Sequence, residues 1–261
     1  NIGADGLRMN EAYYAVVEAC EKQKPKYLMI ESLTLFRYSM GQDLQMLLSQ
    51  PLYHRFAFLK YHNIWKSLVE EKGLMEYHRG YTINQNVWEY DGEEDYLNLN
   101  IGDSNSKLTI SALNSMTFDR IKKFCDERGI EIIIYSMPSA KNYNQIRIDA
   151  MEAFAKEKGV TYIDLNEKAD ELGIDWTQDT NDGGDHMNLN GARKVVKYFG
   201  NYFRENLNLR DHRGDPSYSD WDEELVEYDK LVEEMDGKSY LDIYTEKKNK
   251  EWDEKYNNKQ K

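Results

Sequence analysis

Short apolar runs alternate with amphipathic segments along this chain, and the alternation limits the possible folds more than any other feature. The strongest run, residues 130–137, contains three consecutive isoleucines and meets Pro138, as expected for a buried strand. The predicted elements, in chain order, are a helix over 10–24, a strand over 27–31, a helix over 109–128, the 130–137 strand, a helix around 150–155 that Gly159 ends, a strand over 160–165 and a final helix over 192–207. This spacing predicts an α/β fold with a mostly parallel sheet and helices on both faces.

Polar residues follow three of the predicted strands. They are Glu31 and Ser32 after the first strand, Ser136 at the end of the second, and Asp164 and Asn166 at the end of the third. In a parallel sheet the carboxyl ends of neighbouring strands meet at one edge, and ligands bind in the crevice outside that edge. We therefore expect these side chains to lie at the ligand-binding edge.

Residues 182–192 form a glycine-rich loop ahead of the final helix and read Asp-Gly-Gly-Asp-His-Met-Asn-Leu-Asn-Gly-Ala. The helix has apolar residues at steps of three and four, which predict one buried face: Ala192, Val195, Val196, Phe199, Phe203 and Leu207. A loop anchored in this way can present a carboxylate and an imidazole, Asp182 and His186, as a catalytic base pair. The same residues also suit an ordinary helix cap, and both interpretations remain open.

Charge and composition exclude several classes of function. The formal net charge is −13 and no basic stripe is visible, so binding to nucleic acid through phosphates is not expected. Cys20 and Cys125 occupy apolar helix positions and are interpreted as core thiols; no disulfide framework, metal site or cofactor site is predicted. No apolar run is long enough to cross a membrane. The chain begins at Asn1 without an initiator methionine, so we expect it to be a fragment.

Two stretches depart from the alternation. Residues 37–107 are too long for a plain connection and rich in aromatic side chains and histidine, including Trp65 and Trp88. They predict an inserted segment, either a cap with aromatic surfaces for a sugar polymer or a subdomain whose aromatic rings pack together. Within it, residues 56–68 are compatible with a helix.

The stretch 210–261 is dense in Asp, Glu and Lys, with scattered Tyr and Trp. It predicts a charged arm with a disordered end. The arm contains a solvated helix over 223–234, with four residues on one apolar side: Leu225, Tyr228, Leu231 and Val232. The predicted domain organisation is therefore one α/β domain over 1–209, interrupted by 37–107, followed by this arm.

Taken together, these residues resemble the SGNH (GDSL-type) hydrolases, particularly the bacterial cell-surface branch near the D-alanine–teichoic acid transfer and polysaccharide O-acetylation proteins. Asn1-Ile-Gly-Ala-Asp-Gly6 resembles the second sequence block of that family, and residues 182–192 resemble the fifth. The resemblance covers about residues 1–36 and 108–207. It implies a three-layer α/β/α fold whose first strands lie upstream of this chain.

The resemblance implies acyl transfer by a Ser-His-Asp mechanism, with His186 as the base and a carboxylate that orients its ring. The family has its Asp three residues before the His, where this chain has Gly183. Asp182 and Asp185 are the two candidates. We favour Asp182, since adjacent side chains in an extended loop tend to point apart.

The resemblance also implies where an oxyanion would be held. The backbone N–H of Gly6 would stabilise it, and Gly3 belongs to the same block. The third block of the family supplies an Asn, whereas this chain has Ser32 and Thr34 in that region as weaker donors. Asn188, which follows the His in the fifth block, completes the predicted oxyanion and substrate contacts.

The nucleophile of the family precedes the second block, so the resemblance places it upstream of Asn1. Ser32, Ser136 and Ser139 lie near the predicted active edge and are interpreted as loop hydrogen-bonders. The implied function is an esterase or O-acyltransferase at the cell surface that acts on a cell-envelope glycan or polyol ester. A membrane acyltransferase partner and a membrane-anchored parent protein fit this function. The alternative is a non-catalytic glycan-binding or scaffolding module.

Overall fold

The computed structural model describes residues 2–3, 6–56, 82–90, 92, 109–239, 242–243, 245–246, 248–250 and 252. The chain divides into two compact units. Unit 1 comprises residues 1–76, 96–137 and 143–167, and unit 2 comprises residues 77–95, 138–142 and 168–261. The described part of the 37–107 stretch is shared between the two units, and the described part of 210–261 belongs to unit 2.

Unit 1 contains a parallel sheet of three strands, β1 (Tyr27–Glu31), β2 (Glu131–Ser136) and β3 (Thr161–Asp164), in the order β1-β2-β3. All three predicted strands are confirmed, and with them the mixed α/β class. Ile30 of β1 pairs with Ile134 of β2, and Ser136 pairs with Asp164. The register therefore brings the carboxyl ends of the strands level with one another.

The described residues of unit 1 form five helices. They are α1 (Met9–Lys22), α2 (Leu33–Phe36), α3 (Met40–Arg55), α4 (Ala112–Asp126) and α5 (Gln145–Lys158). Side-chain caps explain where two of them begin: Ser111 accepts the N–H of Asn114, and Asn144 accepts the N–H of Arg147, each at 3.1 Å. Helix α5 ends at Gly159, as predicted, in the left-handed conformation that glycine adopts without strain.

The core of unit 1 explains the row of three isoleucines. Ile132 and Ile134 lie in the hydrophobic cluster with residues of α1, α4 and α5, whereas Ile133 projects to the opposite face and is also fully buried. Both faces of β2 are thus covered, as expected for a central parallel strand. Cys125 is buried in this cluster, which confirms the prediction that it is a core thiol, whereas Cys20 is partly buried and packs against the cluster.

Unit 2 contains α6 (Ala169–Leu172), α7 (Leu189–Asn206), a 3₁₀ turn (Pro216–Tyr218) and α8 (Ser219–Met235). The two predicted helices, over 192–207 and 223–234, are confirmed. In each helix, one residue that was predicted to lie on the buried face is exposed. Val196 is 67% exposed, and Leu225 also lies in solvent, while the fully buried residue of α8 is Met235.

The long predicted insertion is described only in part. Helix α3 ends at Arg55, with Phe56 as its cap residue, so most of the 56–68 helix prediction falls on residues outside the described ones, as does Trp65. Among the described residues, no helix is long and apolar enough to cross a membrane.

Candidate functional site

The loop with Asp182 and His186 is closed on itself and held by a second segment of unit 2. Thr180 and Met187 form an isolated antiparallel bridge, and the Asn181 N–H donates to the His186 carbonyl at 3.1 Å. Residues 84–90 run beside this loop, where the Trp88 N–H donates to the Thr180 carbonyl at 3.0 Å. These backbone hydrogen bonds fix the loop from both sides.

Asp182 orients His186 through two contacts. Its Oδ2 lies 2.5 Å from Nδ1 of the imidazole, and its Oδ1 accepts the His186 backbone N–H at 2.8 Å. The same Oδ1 also accepts the Asp185 N–H at 3.1 Å. With Nδ1 engaged by a carboxylate, Nε2 is the ring nitrogen suited to exchange a proton with a reacting group. The His186 side chain is 71% exposed, so a substrate can reach it.

Asp185 is turned towards another part of unit 2. Its Oδ1 accepts hydrogen bonds from the Ser139 hydroxyl at 3.1 Å and from the Asn142 amide. Its Oδ2 lies 3.5 Å from His186 Nδ1, farther than Asp182 Oδ2. Asp185 therefore anchors residues 139–142, while Asp182 is the closer partner of His186. The catalytic role of either carboxylate stays a prediction.

Both glycines of the loop have the positive φ that glycine adopts without strain, and Gly184 is also closely packed. A Cβ atom on Gly184, which has φ of +105°, would lie 2.9 Å from the Tyr90 ring. A Cβ atom on Gly183 would lie 3.0 Å from Lys141 Nζ and 3.7 Å from Trp88 Nε1. The Tyr90 ring thus approaches the loop backbone more closely than a side chain at Gly184 would allow, and Lys141 packs tightly at Gly183, whereas Trp88 lies at an ordinary van der Waals distance from the Gly183 Cβ position.

Asn188 serves the structure of the loop and of α7. Its Oδ1 accepts the N–H groups of Asn190 and Gly191 at 3.0 and 3.2 Å, which caps the helix. Its Nδ2 donates to the carbonyls of Asn86 and Gln178 at 3.1 and 2.7 Å, and the residue is 1% exposed. The predicted substrate contact by Asn188 would have to compete with these hydrogen bonds.

The other predicted oxyanion residues all belong to unit 1. Gly3 is exposed, and Gly6 has φ of +69° with Arg37 Nη1 3.1 Å from the position of a Cβ atom. Thr34 is half-buried in α2. Ser32 is fully buried, and its hydroxyl is engaged in the cluster described next. These four residues therefore lie in a different unit from Asp182, Asp185, His186 and Asn188.

A cluster of hydroxyl groups and a carboxyl group lies at the carboxyl edge of the sheet. Ser32 Oγ lies 2.9 Å from Ser136 Oγ and 3.2 Å from Glu31 Oε1. Ser136 Oγ lies 2.6 Å from the hydroxyl oxygens of both Tyr143 and Tyr162, and Tyr143 also contacts Ser32. We name this group the hydroxyl cluster. It confirms that the ends of β1 and β2 share one edge, but the two tyrosines were not predicted to join them.

The hydroxyl cluster contains fewer hydroxyl protons than hydrogen bonds. Its four hydroxyl groups carry four protons, which cannot supply every hydrogen bond that joins them to each other and to Glu31. The Ser32 hydroxyl donates to Glu31 Oε1 at 3.2 Å, so the other contacts of Ser32 within the cluster rely on donors elsewhere. Burial raises the pKa of Glu31 to about 7, against the opposing effect of hydrogen bonds from the Leu33 N–H and the Ser32 hydroxyl.

Asp164 extends the polar edge to β3. Its Oδ1 accepts the N–H and the side-chain amide of Asn166 at 2.8 and 2.9 Å. Its Oδ2 is buried and has no hydrogen-bond partner among the residues that the structure describes. Burial raises the pKa values of Tyr143 and Tyr162, and the negative charge of Asp164 raises both further. Both phenols are therefore protonated.

The Asp182 loop also offers ligand atoms for a metal ion. Within the described residues, Asp182, Asp185 and His186 each place one donor atom within 4.8 Å of the others. A nitrogen and two carboxylate oxygens suit divalent ions such as zinc or manganese. The loop is therefore compatible with two kinds of chemistry, proton transfer by a His–Asp pair and metal binding.

A comparison of the chain with protein-family models, with curated proteins and with solved structures finds no match. The resemblance to SGNH hydrolases therefore rests on the residue blocks quoted above, and the function is argued from the site itself.

Proposed function

We propose that this chain carries the histidine–aspartate base of an SGNH-type esterase or O-acyltransferase that acts on a glycan or polyol ester at the cell surface. The observation that carries the proposal is the contact of 2.5 Å between Asp182 Oδ2 and His186 Nδ1. Geometry of this kind is how carboxylates fix the tautomer of a catalytic histidine and stabilise its cation.

The proposed reaction assigns one task to each group. His186 Nε2 accepts the proton of a serine hydroxyl as its oxygen attacks the ester carbonyl, and then gives the proton to the departing alcohol. Asp182 keeps the ring oriented throughout. Water as the second acceptor regenerates the serine and releases a carboxylic acid, whereas a sugar or polyol hydroxyl produces a new ester.

The proposed mechanism also requires a serine nucleophile. In the resembling family the nucleophile precedes the second block, so the proposal assigns it to sequence ahead of Asn1. Within the described residues, Ser32, Ser136 and Ser139 are buried and hydrogen-bonded, which makes them poor candidates for attack on an external ester. The α/β/α arrangement of three layers is likewise part of the proposal.

The proposal is tested by ester hydrolysis with the protein in its full natural length. Acetylated oligosaccharides and p-nitrophenyl acetate are the substrates, and released acetate is measured. We expect turnover that His186→Ala abolishes and that His212→Ala, the matched control in unit 2, leaves unchanged. Turnover that survives His186→Ala would contradict the proposal.

A second candidate function is favoured by one observation. Trp88 is 67% exposed although it sits beside the Asp182 loop, which is the placement of a ligand-contacting ring in a binding module. A non-catalytic glycan-binding protein would bind oligosaccharides with equal affinity before and after His186→Ala and would release no acetate.

A further inference from the structure

The backbone of Trp88 is hydrogen-bonded at both its N–H and its carbonyl group. Its N–H donates to the Thr180 carbonyl at 3.0 Å. Its carbonyl accepts both the Gly183 N–H at 3.1 Å and the Thr180 hydroxyl at 2.5 Å. These partners belong to the loop that carries His186, so Trp88 is held in a fixed position relative to that loop.

The side chain of Trp88 is nonetheless directed to solvent. By contrast, the ring of Tyr90, in the same 84–90 segment, meets the ring of Trp176 edge to face at 6.5 Å. Trp88 remains 67% exposed, and the adjacent Val87 is exposed as well. A tryptophan normally contributes to stability by burying a large apolar area. An indole that stays in water on a fixed backbone is preorganised for a ligand.

The position of the indole links it to the proposed site. Trp88 Nε1 lies 3.7 Å from the Cβ position of Gly183, the residue next to Asp182. Asp182 in turn holds His186. A molecule stacked on the exposed indole face would therefore extend along the same loop that presents the imidazole.

The chemistry around Trp88 defines the class of molecule. The face of an indole carries negative electrostatic potential and attracts weakly positive C–H groups, which line the faces of sugar rings. The exposed Glu89 and the net charge of −13 disfavour an anionic polymer.

We propose that Trp88 is a substrate-contacting residue that stacks against an uncharged saccharide ring and thereby selects glycan esters over small esters. This inference rests on the proposed esterase function and names its substrate class. Trp88 contributes affinity for the saccharide, whereas His186 transfers the proton.

The experiment compares Trp88→Ala with Trp221→Ala in the full-length protein. Trp221 is the matched control because it is also in unit 2 and 53% exposed, but lies on α8. We expect Trp88→Ala to raise KM for an acetylated oligosaccharide about tenfold or more, with a much smaller effect on p-nitrophenyl acetate hydrolysis, and Trp88→Phe to retain most of the affinity for the oligosaccharide. An unchanged KM for the saccharide ester would overturn the inference.

A binding assay separates failure of this inference from failure of the enzyme proposal. Ligand-observed NMR is recorded with uncharged oligomers of glucose, xylose and N-acetylglucosamine, and with oligogalacturonate as the anionic comparison. Suppose that an uncharged oligomer binds, and that Trp88→Ala removes this binding while Trp221→Ala does not. Absence of ester hydrolysis would then contradict the enzyme proposal and leave the role of Trp88 in place. Binding that survives Trp88→Ala, binding to oligogalacturonate alone, or no binding by any oligomer would overturn the role of Trp88.

Discussion

Asp182 holds His186 at both its ring and its backbone, with Oδ2 2.5 Å from the imidazole Nδ1 and Oδ1 2.8 Å from the backbone nitrogen. The carboxylate therefore fixes the ring and the path of the loop at the same time. Asp185, 3.5 Å from the same Nδ1, is occupied with Ser139 and Asn142 instead. This difference between the two carboxylates yields the first prediction.

Asp182→Asn is expected to lower kcat/KM for an ester by roughly 10³–10⁴-fold, since an amide cannot stabilise the imidazolium that forms during the reaction. Asp185→Asn is expected to have a much smaller effect on kcat/KM. Steady-state kinetics on both variants measure this order. Equal losses, or a larger loss for Asp185→Asn, would mean that Asp185 is the orienting carboxylate.

Removal of metal ions distinguishes the two kinds of chemistry that the loop permits. If His186 and Asp182 act as a proton-transfer pair, dialysis against EDTA leaves ester hydrolysis unchanged. If Asp182, Asp185 and His186 instead bind a catalytic metal, EDTA abolishes hydrolysis and added zinc or manganese restores it. Loss of hydrolysis in EDTA and its recovery with added metal would contradict the proposal that His186 is the catalytic base.

Gly184→Ala is expected to destabilise the protein by about 2 kcal/mol or more, because a Cβ atom at φ of +105° is strained and would meet the Tyr90 ring at 2.9 Å. Gly200→Ala is the matched control. Gly200 lies within α7 with open space around it, so alanine there is expected to stabilise by about 0.5–1 kcal/mol. Urea unfolding measures both changes, and equal effects would argue against the packing of Tyr90 on the loop.

The hydroxyl cluster predicts a pH-dependent stability. Burial raises the folded-state pKa of Glu31 to about 7 from an ordinary value of 4.5, so folding takes up a proton between these two pH values. The contribution of the protonated carboxyl group is complete below pH 4.5 and is lost as the pH rises through 7. The free energy of unfolding therefore falls over this range.

Glu31→Gln tests that prediction, because glutamine is neutral at every pH. Relative to the unmodified protein, the variant is expected to gain about 2–3 kcal/mol of stability between pH 4.5 and pH 8. Glu131→Gln is the control, since Glu131 is exposed at the start of β2, and it should leave the pH dependence in place. A Glu31→Gln variant with the pH dependence of the unmodified protein would show that Glu31 is ionised in the folded state throughout.

Much of unit 1 could be predicted from sequence because its signals are local. The row of isoleucines in β2 and the glycine that ends α5 each determine their own element, and parallel pairing follows from the alternation. Val196 could not be placed correctly, because periodicity gives the width of an apolar face only approximately. The hydroxyl cluster joins Ser32 to Ser136, 104 residues apart, and its signal was only a polar residue at the end of each apolar strand.

The loop of the candidate site was likewise predictable only in part. The Asp and His could be identified from residues 182–192 alone, because spacing and loop composition are local properties. The support from residues 84–90 could not, since backbone hydrogen bonds to a distant segment leave no side-chain pattern. Hydrogen bonds with Thr180 and Gly183 hold Trp88 beside the loop. The sequence could therefore suggest Trp88 as a glycan contact, but it could not show that Trp88 lies beside the loop.

The most direct test of the proposed base is covalent labelling of the full-length protein with a fluorophosphonate, which reacts only with an activated serine. We predict that the unmodified protein is labelled at one serine, that His186→Ala prevents labelling, and that Asp182→Asn slows it strongly. A protein that is not labelled, or that is labelled equally well without His186, would contradict the account.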